Sequence, residues 1–248
     1  MKGKIAVVTG VSHRKGIGAA ICREFAKKGV DIFFTHWKSD EEWVRDFTNE
    51  IRSTGVRCES VDYDLSDVEA PSELLDIVSE RMGFPAILVN NAAHSERDGY
   101  EQLDAKLLDD HYAVNMRGTF LLCVEFARRF QKLNLTSGRI INMTSGQDKG
   151  PMIGELAYAA TKGAISAFTL TLSAELAPLG ITVNAVNPGP TDTGWMTEDI
   201  KKHLKSKFPK GRIGLPEDAA RLVAFLASDE AEWITGQVIH SEGGFLRF

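Results

Sequence analysis

Short β-branched runs alternate along this chain with longer stretches of helical periodicity. Ile5-Ala6-Val7-Val8 is continuously apolar rather than alternating, which predicts a strand buried on both faces. A glycine-containing turn follows, and then Ile17, Ala20, Ile21 and Phe25 recur at helical spacing until Gly29. Val30 to Thr35 predicts a second strand, Glu41 to Thr54 a polar helix closed by Gly55, and Val56 to Val61 a third strand. The pattern then repeats. Helices are expected over 69–82, 155–176 and 216–228, with one long or broken helix over 103–133. Strands are expected over 86–89, 139–143, 181–186 and 237–240.

Strands separated by helices of this length pair in parallel through crossovers, because a tight turn cannot join parallel neighbours. The expected fold is therefore α/β: a doubly wound parallel sheet of about seven strands with helices on both faces. No low-complexity linker or break in composition divides residues 1–248, so a single domain is expected. In such a sheet, ligands bind beyond the carboxyl ends of the strands. The chemically suggestive residues fall there.

The first strand runs into Thr9-Gly10-Val11-Ser12-His13-Arg14-Lys15-Gly16-Ile17-Gly18. Glycines at a strand-to-helix turn let backbone approach a pyrophosphate, and the helix start offers unpaired N–H groups and a positive dipole end. The residues after the second strand bear on which nucleotide binds. An acidic residue there would bind the ribose 2′-hydroxyl of NAD. The chain instead has Thr35-His36-Trp37-Lys38-Ser39, and Lys38 with Arg14 and Lys15 suits a 2′-phosphate. NADP(H) is thus the preferred cofactor, with NAD(H) as the other option, and Trp37 lies beside the same site.

Tyr158 and Lys162 stand at i and i+4 of a predicted helix and so project from one face. A free tyrosine titrates near 10, and a neighbouring cation favours the phenolate. The pair is therefore expected to act as a general acid in reduction and a base in oxidation. Ser145, at the end of the fifth strand, is placed to hydrogen-bond a substrate oxygen. Each feature alone has a plain reading, an exposed helix pair or a turn residue, but together beside a nucleotide turn they indicate a site.

The formal net charge of −5 offers no global basic surface, so neither nucleic acid nor an anionic membrane is an expected partner. No eighteen apolar residues occur together, and the run after Lys4 is too short for a signal-peptide core. The three cysteines are far apart and the histidines scattered, which favours free thiols in a cytoplasmic protein and no metal site.

With these residues assembled, the chain resembles the short-chain dehydrogenase/reductase family along essentially its whole length. The similarity is to the branch that includes β-ketoacyl carrier-protein reductases and glucose dehydrogenases. Thr9 to Gly18 is similar to that family's glycine motif, so the resemblance implies cofactor contacts from Gly10, Ser12, Arg14, Lys15, Gly16 and Ile17. It further implies adenine contacts from Asp64 and Leu65, and support near the cofactor from Asn91 and Ala92. Pro188, Gly189 and Thr191 match the stretch on the nicotinamide, and Tyr158 and Lys162 also contact the cofactor. Asn115, Ser145, Tyr158 and Lys162 match the catalytic set, with Asn115 anchoring a water that links the lysine to solvent. The family's habit implies a homotetramer or homodimer. The chain departs in three places. Five residues separate Gly10 from Gly16, two more than usual; Ala93 replaces a glycine; and Ser241-Glu242 stands where Val-Asp is usual.

The expected activity is NADP(H)-dependent reduction of a ketone to a secondary alcohol, with a 3-oxoacyl thioester on an acyl carrier as one substrate. Oxidation of a sugar or small secondary alcohol is the alternative. An idle NADP-sensing regulator would need none of the Asn115, Ser145, Tyr158 and Lys162 set. A nucleotide-dependent enzyme without redox chemistry, such as a methyltransferase, would differ by showing no absorbance change at the reduced-nicotinamide band on mixing with substrate. Substrate selection is expected from His94, Gln147 and Trp195, beneath a lid over 192–209 whose Lys201, Lys202, Lys205 and Lys207 suit an acidic carrier or simply a solvated face.

Overall fold

Three side chains in register show how the sheet is built. Val7 of β1 (Ile5–Val8) lies opposite Phe33 of β2 (Asp31–His36) and Leu88 of β4 (Ile87–Asn90), and all three are fully buried on one face. Their neighbours Ala6, Val8, Ile32, Phe34, Ile87 and Val89 are equally buried on the other face. This explains the continuous apolar runs, because successive residues of a strand point to opposite sides and both sides are covered.

The structure is a computed structural model that describes residues 1–247. With β3 (Cys58–Asp62), β5 (Gly138–Met143), β6 (Ile181–Asn187) and β7 (Val238–His240), the strands form one seven-stranded sheet. Its order is β3-β2-β1-β4-β5-β6-β7, and every pairing is parallel. The expected strand count, direction and single sheet all hold, with element ends displaced by a residue or two.

One face is packed by α1 (Ile17–Lys27), α2 (Glu41–Arg52) and α8 (Pro216–Leu226), whose Phe25, Phe47 and Val223 share a core with the sheet. The opposite face holds α3 (Ala70–Arg81), α5 (Thr119–Lys132) and α6 (Leu156–Leu176), with Leu74, Phe126 and Leu172 in the second core. From β1 the chain winds outward to β2 and β3, and from β4 it winds the other way to β7. The crevice between β1 and β4 is thus the topological switch point, where an open sheet of this kind binds its ligand.

The helix expected over 103–133 is continuous from Ala105 to Lys132 but changes pitch. It begins as α4 (Ala105–His111), widens into a π-helical stretch over Tyr112–Gly118, and resumes as α5. The wide turn lies where Gly118 presses on the loop after β3: a Cβ at Gly118 would stand 2.6 Å from the Leu65 carbonyl oxygen. Such turns are rare and concentrate at functional sites, and this one carries the fully buried Asn115. Gly118→Ala is expected to lower stability by about 1–3 kcal/mol through this overlap, measured as a shift in the urea midpoint.

Candidate active site

At the switch point, side chains stitch β1 to β4. The Thr9 hydroxyl accepts from the N–H groups of Asn91 and Ala92, both at 3.0 Å, and Asn91 Nδ2 donates to the carbonyls of Thr9 and Gly10. The backbones approach so closely that a Cβ at Gly10, whose φ is +70°, would overlap Ala92 Cα. Only glycine fits there. The lengthened turn closes through a Gly16 N–H bond to the His13 carbonyl at 3.0 Å. Helix α1 then starts with no side-chain cap, leaving its first N–H groups open to an anion.

A cavity of about 490 Å³ opens here, lined by Gly10, Ser12, Trp37, Asp64, Leu65, Asn91 and Ala92 from the expected cofactor set. His13, His36 and His94 line it as well. Burial pushes the His36 imidazole below its usual range, against the opposing pull of Asp62. The three expected cations do not line this cavity. Arg14 and Lys15 are exposed on the turn, and Lys38 Nζ lies 4.9 Å from the centre of the Trp37 ring at the cavity edge.

A larger adjoining cavity of about 780 Å³ collects Ile17, Ser145, Tyr158, Pro188, Gly189, Thr191 and Trp195. Ser145 follows β5, Tyr158 lies on the first turn of α6, and Pro188 to Thr191 follow β6, so two strand ends and one helix face converge. The nicotinamide-type stretch is held from within, since Asn187 Oδ1 accepts from Gly189 N at 2.9 Å and Thr191 Oγ1 donates to the Gly189 carbonyl at 3.1 Å. Thr191 also accepts the Trp195 indole N–H on its carbonyl, at 3.1 Å.

Helix α6 is anchored by a residue that its own sequence does not announce. Glu155, at the N-cap position, makes no capping bond. The carboxylate of Asp98, from the loop after β4, instead accepts from Leu156 N at 2.6 Å and Ala157 N at 2.8 Å. A remote cap of this kind has no local signal, because its partners lie far along the chain.

Lys162 is 2% exposed, its Nζ donates to the Met143 carbonyl at 2.8 Å, and it stands 5.5 Å from the centre of the Tyr158 ring. Burial pulls its ammonium down to about 8. The Tyr158 phenol is pushed up to about 12, by burial first and by the Glu155 carboxylate second, while the facing Ser145 hydroxyl pulls it down. The expected lowering by Lys162 is not among the influences on this phenol, and the lowering comes from Ser145. Asn115 is held by three bonds: His94 N donates to its Oδ1 at 2.7 Å, and its Nδ2 donates to the His94 carbonyl at 2.9 Å and to Thr161 Oγ1 at 3.0 Å.

Of the expected substrate residues, Trp195 lines the larger cavity. His94 instead faces the smaller one, with its ring edge-on to His111 at 4.6 Å. Gln147 lines neither; its Nε2 donates to Ser166 Oγ at 3.2 Å, drawing the amide toward α6. The expected lid segment contains α7 (Glu198–Lys205), of which Leu204 reaches the cavity. Sequence reasoning missed Arg97 and Arg247, which also line it.

Among the described residues no group of three or more His, Cys, Asp or Glu is placed to hold a metal ion, and no helix is long and apolar enough to cross a membrane. All three cysteines are free and buried.

A parallel seven-stranded sheet with an open glycine turn at its switch point and a Ser–Tyr–Lys–Asn cluster beside it defines a nicotinamide-type oxidoreductase fold. Residues 10–246 match a family model described as enoyl-(acyl carrier protein) reductase. The chain is 68% identical over 244 residues to YjdA of Bacillus subtilis (strain 168), described as an uncharacterized oxidoreductase, covering 98% of this chain and 97% of that protein. It is 34% identical over 248 residues to the 3-oxoacyl-[acyl-carrier-protein] reductase FabG of Aquifex aeolicus, covering 98% of each. The crystal structure of acetoin dehydrogenase YohF from Salmonella typhimurium superposes with a TM-score of 0.88 at 32% identity, covering 99% of this chain and 96% of that one. The protein belongs to the short-chain dehydrogenase/reductase family and is an enzyme of the oxidoreductase class.

The depressed Lys162 ammonium has a signature in stability. The folded protein releases that proton near pH 8, whereas the unfolded chain keeps it until about 10.5, so the unfolded state binds more protons between these values. Stability from this group therefore rises with pH across that window. The stability of wild type relative to Lys162→Met is expected to increase between pH 8 and 10.5, read from paired urea titrations at several pH values.

Proposed function

We propose that this enzyme reduces a ketone to a secondary alcohol with NADPH, using Tyr158 as the general acid. The observation that carries the reading is the Tyr158 phenol, which faces Ser145 in a cavity shared with Pro188, Gly189 and Thr191 and whose environment favours the protonated form. A phenol held protonated is ready to give its proton to the oxygen of a carbonyl undergoing reduction.

The residues present fit a dinucleotide. The turn at Gly10 has a Cβ-free approach to β4, α1 opens without a cap, and two cavities adjoin at the strand ends. Gly10, Ser12, Gly16 and Ile17 would hold the pyrophosphate, Asp64 and Leu65 the adenine, and Asn91, Ala92, Pro188, Gly189 and Thr191 the nicotinamide half. Trp37 and Lys38, with Arg14 and Lys15 on the exposed turn, would receive a 2′-phosphate, which favours NADP(H) over NAD(H). When bound, the nucleotide supplies the hydride. Ser145 would orient the substrate oxygen, and Tyr158 would donate the proton. Lys162 would restore that proton, and Asn115 would position the water route by fixing the His94 backbone.

The FabG relatives favour a 3-oxoacyl thioester as substrate, with the acyl carrier as a partner, whereas the acetoin dehydrogenase neighbour favours a small secondary alcohol oxidised in the reverse direction. In either case residues 192–209 would act as the lid. A homotetramer or homodimer in the cytoplasm completes the reading.

Two experiments test it. Tyr158→Phe is expected to reduce turnover of an activated ketone at least ~100-fold, with NADPH affinity by fluorescence titration largely retained; near-wild-type turnover would refute the role. Steady-state rates with NADPH and NADH should show a preference for NADPH, and Lys38→Ala should narrow that preference about 10-fold. An unchanged ratio would remove Lys38 from the phosphate site.

A further inference from the structure

The segment after β7 brings an arginine into the larger cavity, and nothing in the proton-transfer scheme uses it. Arg247 is bound by both arms of Glu242, with Nη1 to Oε2 at 3.1 Å and Nη2 to Oε1. Glu242 is itself largely covered, its side chain 9% exposed, and accepts from Asn187 Nδ2 at 2.8 Å. The pair is built into the site on both sides. A Cβ at Gly189 would stand 2.8 Å from Glu242 Cγ, and one at Gly146, directly after Ser145, would overlap Arg247 Nη2. The segment is also tied to the end of the lid, through a Leu246 N–H bond to the Lys207 carbonyl at 2.9 Å and the Phe245 ring 5.0 Å from Phe208.

A largely desolvated ion pair, its side chains 17% and 9% exposed, is a poor way to build a wall, since well-packed apolar residues do as well or better for stability. A guanidinium does offer five N–H donors in a rigid fork. Glu242 is Arg247's only hydrogen-bond partner among the described residues, so the remaining N–H groups are open to a ligand. Glu242 compensates the charge, which leaves a directional donor rather than a bare cation. The surrounding wall is mixed: Ile17, Met152, Ile153 and Leu204 supply apolar surface, and Arg97 and Glu155 also line it. In such a pocket a few placed polar groups set the orientation of the ligand.

We propose that Arg247 is a specificity-determining residue that selects ketones carrying a second oxygen acceptor, a carbonyl or carboxylate, close to the reacting carbon. This rests on the ketone-reductase reading and adds the group that the substrate must carry beside its reacting carbonyl.

The test compares kcat/KM for methyl 3-oxobutanoate, 3-oxobutanoate and pentan-2-one in wild type, Arg247→Leu and Arg247→Lys. Wild type should favour the better oxygen-bearing ketone over pentan-2-one at least ~10-fold. That ratio should fall toward one in Arg247→Leu and partly recover in Arg247→Lys. The ester and the free acid separate a carbonyl acceptor from a carboxylate. A ratio that survives Arg247→Leu overturns the proposal even though ketones are reduced. If wild type reduces none of the three, the functional reading fails instead. Calorimetric binding of methyl 3-hydroxybutanoate against pentan-2-ol, with NADP⁺ present, then judges Arg247 by itself. Weaker binding of the ester in Arg247→Leu supports its role, and equal binding in both proteins overturns it.

Discussion

The site depends on a positive charge held inside the protein by a single carbonyl. Lys162 has left water almost entirely, and its ammonium is met by the end of β5 through the Met143 oxygen. That bond fixes the face of α6 against the strand end and so sets where Tyr158 lies relative to Ser145. Desolvation lowers the ammonium's affinity for its proton. The group can therefore lose and regain a proton near physiological pH, which an exposed lysine could not do.

Around this point three supports converge from distant parts of the chain. Asp98 fastens the start of α6 from the loop after β4. Asn115 joins the π-helical stretch to the His94 backbone and to Thr161 on α6. Thr9 and Asn91 close the seam between β1 and β4. Asp98, Asn115 and Thr9 are buried polar groups engaged with their neighbours, the condition under which such groups add rigidity rather than cost. A reacting cluster placed by three independent anchors tolerates little drift.

Much of this was legible in the residues. Runs such as Ile87-Leu88-Val89 are apolar at every position because both sheet faces are covered, so strand number and direction could be read. Tyr158 and Lys162 carried their own geometric signature, one helical turn apart. What could not be read involved partners far apart in the chain. The change of pitch at Tyr112 to Gly118 answers to the Leu65 carbonyl, and the cap on α6 comes from Asp98. Gln147 was expected in the substrate pocket, yet its amide donates to Ser166 and it lines neither cavity. A pull on the Tyr158 phenol was expected from Lys162, but burial and Glu155 raise it and the hydroxyl of Ser145 is what lowers it. Electrostatic balance of that kind depends on depth and on every neighbouring charge, and a spacing rule contains neither.

The π-helical stretch has a consequence for how this helix can change. Taking up one extra residue in a turn advances the phase of everything downstream by about 100° compared with a uniform α-helix. Asn115 lies within the widened region and Phe126 and Phe130 lie beyond it, all fully or nearly fully buried. With the widened turn in place, the asparagine reaches Thr161 on α6 while the phenylalanines pack in the core. Insertions and deletions between residues 112 and 126 are therefore frame-shifts in three dimensions, rotating the core-facing phenylalanines away from the phase that the asparagine keeps with α6.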